Sequence, residues 1–87
     1  MLNLFDPIAN LKPISVDCLT LLEPDYRHIQ SLPVGQVGTV VEIYDAEDPR
    51  YLIEFADLEG REYAMAVLPA SDVLALHYEL AIASSQV

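Results

Sequence analysis

Basic residues are scarce in this chain: four Lys and Arg stand against fourteen Asp and Glu in 87 residues, a formal net charge of -10. A nucleic-acid binder draws much of its affinity from cations that neutralise phosphates, so that class is excluded. The same sign opposes docking on an anionic membrane. Cysteine is almost absent. Cys18 alone cannot close an intramolecular disulfide, so the fold is expected to stand without covalent staples in a reducing, cytoplasmic setting. No basic run precedes the apolar start, and Asp6 interrupts it at once, so no secretory signal is expected. The uncharged runs fall short of the roughly 18 residues a membrane helix needs.

What is present is apolar. The broad hydrophobic count is 53%, which rules out a disordered acidic tail. The length allows one small domain, and such a domain buries only about 60% of the surface its unfolded chain exposes.

Residues 1–13 read as an apolar N-terminal arm with Leu2, Leu4, Phe5, Ile8 and Leu11. Asp6-Pro7 resembles a helix cap followed by proline, which predicts one helical turn over about 6–11, ended by Pro13. Ile14 to Leu22 is rich in β-branched and aliphatic residues and predicts a first strand. Its alternation is imperfect, because Leu19 and Leu21 share a side with Asp17. Either both faces are partly covered or these leucines are exposed for a purpose. Residues 23–36 hold Pro24, Pro33 and Gly35 and predict a long loop.

Val37 to Tyr44 is the clearest strand, and its period of two assigns Val37, Thr39, Val41 and Ile43 to one face. Tyr51 to Ala56 predicts a third strand with Ile53 and Phe55 inward and Glu54 outward. Asp57-Leu58-Glu59-Gly60 predicts a hairpin turn in which Gly60 takes positive φ. Arg61 to Leu68 returns, and Pro69 to Asp72 predicts a tight 3₁₀-like turn. In Val73 to Leu80, Leu74, Leu76, Tyr78 and Leu80 alternate with smaller or polar residues, a strand pattern for which a helix is the competing reading. The tail 81–87 is expected to fray.

The expected fold class is all-β: a small five-stranded SH3-like barrel over 14–80 with the arm attached. The chain is too short to flank a parallel sheet with helices, and an immunoglobulin-type sandwich needs about seven strands and about 100 residues.

Reactive groups are few. Cys18, His28 and His77 are the only candidates for nucleophile and base, and no third orienting group accompanies them. Cys18 within a strand predicts a small buried hydrophobe. The histidines have no partner at metal-ligand spacing. Asp45, Glu47 and Asp48 invite a calcium reading, but an EF-hand counted from Asp45 would need Gly and Glu where Arg50 and Ala56 stand. Gly35 and Gly38 precede a strand and lack a lysine, so they predict backbone bending rather than a phosphate loop. Five tyrosines could stack bases or grip a peptide, yet eight acidic residues between Glu42 and Glu62 face only Arg50 and Arg61. Base stacking therefore lacks its basic groove. Tyr78 is expected in the core with one or two others, and one of Tyr44 and Tyr63 at the surface.

The stretch Leu32 to Tyr44, with its G-x-x-G-x-V pattern, resembles the bend into the second strand of many SH3-like barrels. With Tyr51-Leu52-Ile53-Glu54-Phe55, Asp57-Leu58-Glu59-Gly60-Arg61 and Tyr63-Ala64, it is similar to a family of small bacterial, chiefly cyanobacterial, proteins of unknown function. That resemblance spans about residues 14–80 and implies a stand-alone barrel. It also implies a gene set beside that of another small protein, as a toxin lies beside its antidote. Its motifs are structural and transfer no catalytic residue.

The expected function is a non-catalytic protein-interaction module without cofactor, because a thin core cannot hide so many apolar residues and an exposed patch marks an interface. The expected partner is another protein, encoded nearby, or a second copy in a homodimer. Leu2, Leu4, Phe5, Leu19, Leu21, Leu52 and Leu58 are the candidate contact residues, being apolar positions outside the alternating faces or at a turn.

Overall fold

The computed structural model describes residues 2–44 and 47–80. Its regular elements are the strands β1 (Pro7–Asn10), β2 (Ile14–Ser15), β3 (Thr20–Leu21), β4 (Ser31–Leu32), β5 (Val37–Tyr44), β6 (Arg50–Ala56), β7 (Glu62–Pro69) and β8 (Val73–Ala75), with single 3₁₀ turns at Val16–Cys18, Pro24–Tyr26 and Ala70–Asp72. Six strands form one antiparallel sheet in the order β3-β7-β6-β5-β1-β8, while β2 and β4 pair separately. The fold is all-β, with more strands than the five expected, and the six-stranded sheet ends at β3 and β8 without closing on itself.

The centre follows the sequence pattern. Ile53 and Phe55 are fully buried, and Glu54 points to the other face. Burying such side chains stabilises by roughly 1.5–3 kcal/mol each. They pack with Ile8, Val40, Tyr51 and Leu68 in the core. The β6–β7 turn is as expected: Gly60 has φ 82 and its N–H donates to the Asp57 carbonyl at 3.0 Å. The 3₁₀ turn at Ala70–Asp72 also lies where the sequence puts it.

Four local readings are corrected. The helical turn over 6–11 is instead strand β1, lying between β5 and β8. One isolated turn gains few hydrogen bonds for the residues it fixes, whereas a strand between two neighbours is paired on both edges. The strand over Ile14 to Leu22 is broken by a 3₁₀ turn, where Ser15 Oγ accepts from the Asp17 N–H at 3.3 Å. Such local side-chain bonds compete with a ladder. Cys18 is consequently exposed in that turn rather than buried in a strand.

In β5 the single face assigned to Val37, Thr39, Val41 and Ile43 is broken in two. Gly38 and Val40 face the core, and Val37 is about half exposed. The register shifts between Val40 and Glu42, so Val41 is the extra residue of a bulge and Ile43 returns to the core side opposite Tyr51. Gly38 has its own reason to be glycine: a Cβ there would lie 2.5 Å from Ile53 Cγ2. Finally, the strand expected over Val73 to Leu80 stops at Ala75, no helix replaces it, and Tyr78 is 95% exposed rather than in the core. Tyr51 and Tyr63 are the buried tyrosines, and Tyr44 is exposed. The tail 81–87 and Asp45 of the acidic loop lie outside the described residues.

Candidate functional site

Asn10, at the end of β1, organises the long loop. It is a buried polar side chain, 1% exposed, and its bonding capacity is used on both sides. Its Nδ2 donates to the carbonyls of Lys12 (2.8 Å) and Pro33 (2.9 Å), and its Oδ1 accepts from the Gln36 N–H (2.8 Å). The Gly35 N–H donates to the Asn10 carbonyl at 2.9 Å, with Gly35 at φ 89 making the bend. These bonds hold the returning leg of the loop against β1 and start β5 in register.

That placement creates a groove of about 780 Å³ between the long loop and the β6–β7 turn. Tyr26, Ile29, Leu32 and Val37 line it from the loop side, and Leu58 and Tyr63 from the turn side. Tyr26 sits at the end of the 3₁₀ turn Pro24–Tyr26, and the Ile29 N–H donates to its carbonyl at 3.2 Å. This one-turn geometry sets Tyr26 and Ile29 on the same wall. The Tyr26 and Tyr63 rings lie 5.0 Å apart and tilted by 34°, an arrangement favourable for aromatic pairs. Burial raises the Tyr63 pKa, with Tyr26 and Asp57 adding to it, so the phenol stays a neutral donor, here to Gln36 Oε1 at 3.4 Å.

The turn side is rigid and acidic. Asp57 Oδ1 accepts from the Glu59 (2.9 Å) and Arg61 (3.0 Å) backbone N–H groups, and its Oδ2 accepts from Arg61 Nε at 3.1 Å. The Arg61 backbone N–H foremost, then the Glu59 N–H and the guanidinium, hold its carboxyl below the usual range. Leu58 stands at the tip, fully exposed. Asp57 and Glu59 flank it, so the groove joins an apolar floor to an acidic lip.

The seven contact residues expected from sequence do not converge on one surface. Leu58 belongs to this groove. Leu4 and Phe5 are exposed beyond β1, Phe5 at 73% and in the left-handed region at φ 70. Leu2, Leu19 and Leu21 are half-buried against the core, and Leu52 is half-buried on the outer side of β6. Tyr26, Ile29, Val37 and Tyr63 were not anticipated as groove residues. The signal for the first pair is the three-residue spacing of Tyr26 and Ile29 within the polar stretch Asp25 to Ser31.

A second cleft of about 580 Å³ runs beside β8, lined by Leu2, Asp6, Tyr51, Val73, Ala75 and His77 among others. Among the described residues no group of three or more His, Cys, Asp or Glu side chains is placed to hold a metal ion, and no helix is long and apolar enough to cross a membrane.

These features define a small all-β domain that carries an apolar groove with an acidic lip. The chain belongs to the family described as Domain of unknown function (DUF4926), whose model matches residues 17–75. No curated protein and no solved structure matches it.

Proposed function

We propose that the protein is a non-catalytic interaction module whose groove receives an apolar side chain of another protein. The observation that carries this reading is Leu58. A fully exposed leucine stands on a turn fixed by five hydrogen bonds among Asp57, Glu59, Gly60 and Arg61, above walls of Tyr26, Ile29 and Tyr63. Rigid presentation of an apolar anchor lowers the ordering cost of association. The net charge of -10 and the carboxylates at the lip favour a basic partner and speed its arrival.

The fold is read as an SH3-like barrel of bacterial origin, working in the cytoplasm. Support comes from the meander β5-β6-β7 extended on its β5 side by β1 and then β8, the long connection between β1 and β5, and the 3₁₀ turn before β8. The partner is a small protein encoded beside this one, and the relation is that of antidote to toxin. A basic nuclease-like toxin would be held off nucleic acid by this acidic surface. Co-expression with the neighbouring gene product tests the role: a stable complex and relief of growth arrest are expected, and neither appearing would end the antidote reading. A second reading, self-association, is favoured by the outer edge of β8, which pairs with no strand among the described residues.

A further inference from the structure

The strand pattern of Val73 to Leu80 is only partly used within one chain. β8 covers Val73–Ala75, yet the alternation continues to Leu80, and the apolar side chains Leu74, Tyr78 and Leu80 are exposed. The direction of the backbone groups explains where the rest points. The Leu11 N–H donates to the Asp72 carbonyl (2.8 Å) and the Leu76 N–H to the Pro7 carbonyl (3.0 Å), with Leu74 opposite Ala9 between them. Even-numbered residues therefore bond to β1. By the alternation of an antiparallel ladder, the N–H and C=O groups of Val73, Ala75 and His77 face the other way. Among the described residues nothing bonds to them there. The same three residues line the 580 Å³ cleft.

We infer that this edge pairs with the same edge of a second copy, antiparallel about a two-fold axis at Ala75. The inference rests on the self-association reading above. A centre on a residue, rather than between two, sets outward-facing groups against each other, and Ala75 is the middle one of the three outward residues Val73, Ala75 and His77. Centred on Ala75, the register opposes Ala75 to its own copy and Val73 to His77 of the partner subunit, each pair exchanging two hydrogen bonds. Leu74 then lies opposite the partner's Leu76, an apolar pair on one face. Asp72 meets the partner's Tyr78, and Glu79 meets the partner's Ser71. No two carboxylates face each other, which matters between two chains of charge -10. The segment 76–78 becomes strand on association, which accounts for an alternation that one chain alone does not satisfy. Isologous pairing of this kind closes the edge and stops further growth.

Sedimentation equilibrium of the whole chain tests it, with two variants. His77 is exposed, and its N–H has no partner within the chain among the described residues. His77→Pro removes that donor on both sides of the axis and is expected to weaken the dimer at least about tenfold while leaving the melting of the monomer unchanged. Ala75→Cys in a Cys18→Ser background is expected to oxidise to a covalent homodimer, because directly paired strand positions lie within disulfide reach. A strict monomer at high micromolar concentration overturns self-association altogether. A dimer unaffected by H77P, with no cross-link in the A75C, C18S protein, leaves self-association standing and overturns this edge.

Discussion

At the residue scale, the groove depends on a side chain that touches no ligand. Asn10 satisfies two carbonyls and one N–H of the long loop from a buried position. Asn10→Ala would strand these groups away from water, at about 1–3 kcal/mol for each group left unpaired. A loss of about 3 kcal/mol in urea unfolding is expected, a large part of the stability of a domain this small. Phe5 is the opposite case. It holds a left-handed backbone, which costs a side chain about 1–2 kcal/mol, and at 73% exposure it recovers little by packing. Phe5→Gly is therefore expected to leave thermal stability unchanged or slightly raised, and a clear drop in melting temperature would show that Phe5 packs on the sheet.

Glu54 carries the pH dependence. Desolvation first, then the charge and hydrogen bond of Glu62, raise its pKa. The folded chain thus binds this proton more tightly than the unfolded chain. The contribution is a penalty that is absent below the ordinary glutamate value of about 4.3 and grows as pH rises through the folded value. Asp57 has the opposite sign: its lowered pKa adds stability that is lost as pH falls through its folded value. Stability should therefore rise as pH is lowered from neutrality towards about 4.3, then fall in stronger acid. In urea titrations at several pH values, Glu54→Gln should flatten the upper slope. An unchanged slope would remove Glu54 as its source.

At the element scale, strand identity was legible where both faces had a clear assignment and illegible where the chain changed face. β6 and the Asp57–Gly60 turn read correctly because Ile53 and Phe55 alternate with Glu54 and Gly60 supplies positive φ. β5 is legible as a strand, but its assigned face is not kept along its whole length. Val37, Thr39, Val41 and Ile43 form an unbroken period of two, but a one-residue bulge at Val41 divides the strand into two phases. The clue was Gly38, which only an inward position beneath Ile53 and Phe55 explains. Gly38→Ala is expected to cost about 1–3 kcal/mol through overpacking, seen as a lower urea midpoint with unchanged slope.

β1 was misread because a capping signal at Asp6-Pro7 is local, whereas the partners of β1 lie about thirty and sixty-five residues away in sequence, at β5 and β8. The groove was hidden for the same reason. Its walls come from the loop around Tyr26 and the turn around Leu58, and their approach follows from Asn10 binding Pro33 and Gln36. Leu58 alone was visible, since an apolar residue at a turn tip has no core to enter.

At the scale of the whole molecule, the shortage of cations organises the surface. Lys12 is paired with Asp72 at 3.1 Å and Arg61 with Asp57 at 3.1 Å, so half of the four basic side chains are already engaged. Negative charge predominates on this surface, and exposed apolar side chains stand away from the groove (Phe5, Leu74 and Tyr78 among them) as well as at its Leu58 lip. Binding there should weaken with salt through slower association, since exposed charges farther apart than about 8 Å are screened at physiological ionic strength. The groove and the β8 edge are lined by different residues, so a dimer could still present its grooves.

The most direct test is isothermal titration of the chain, and of its Leu58→Glu variant, with the purified product of the neighbouring gene. Saturable binding by the parent chain is expected, with a loss of at least about thirtyfold in L58E, as for a central apolar anchor worth about 2 kcal/mol or more. The variant should melt at the same temperature, because Leu58 is fully exposed. Equal affinity for the two chains, or no binding by either at micromolar concentration, would contradict this expectation.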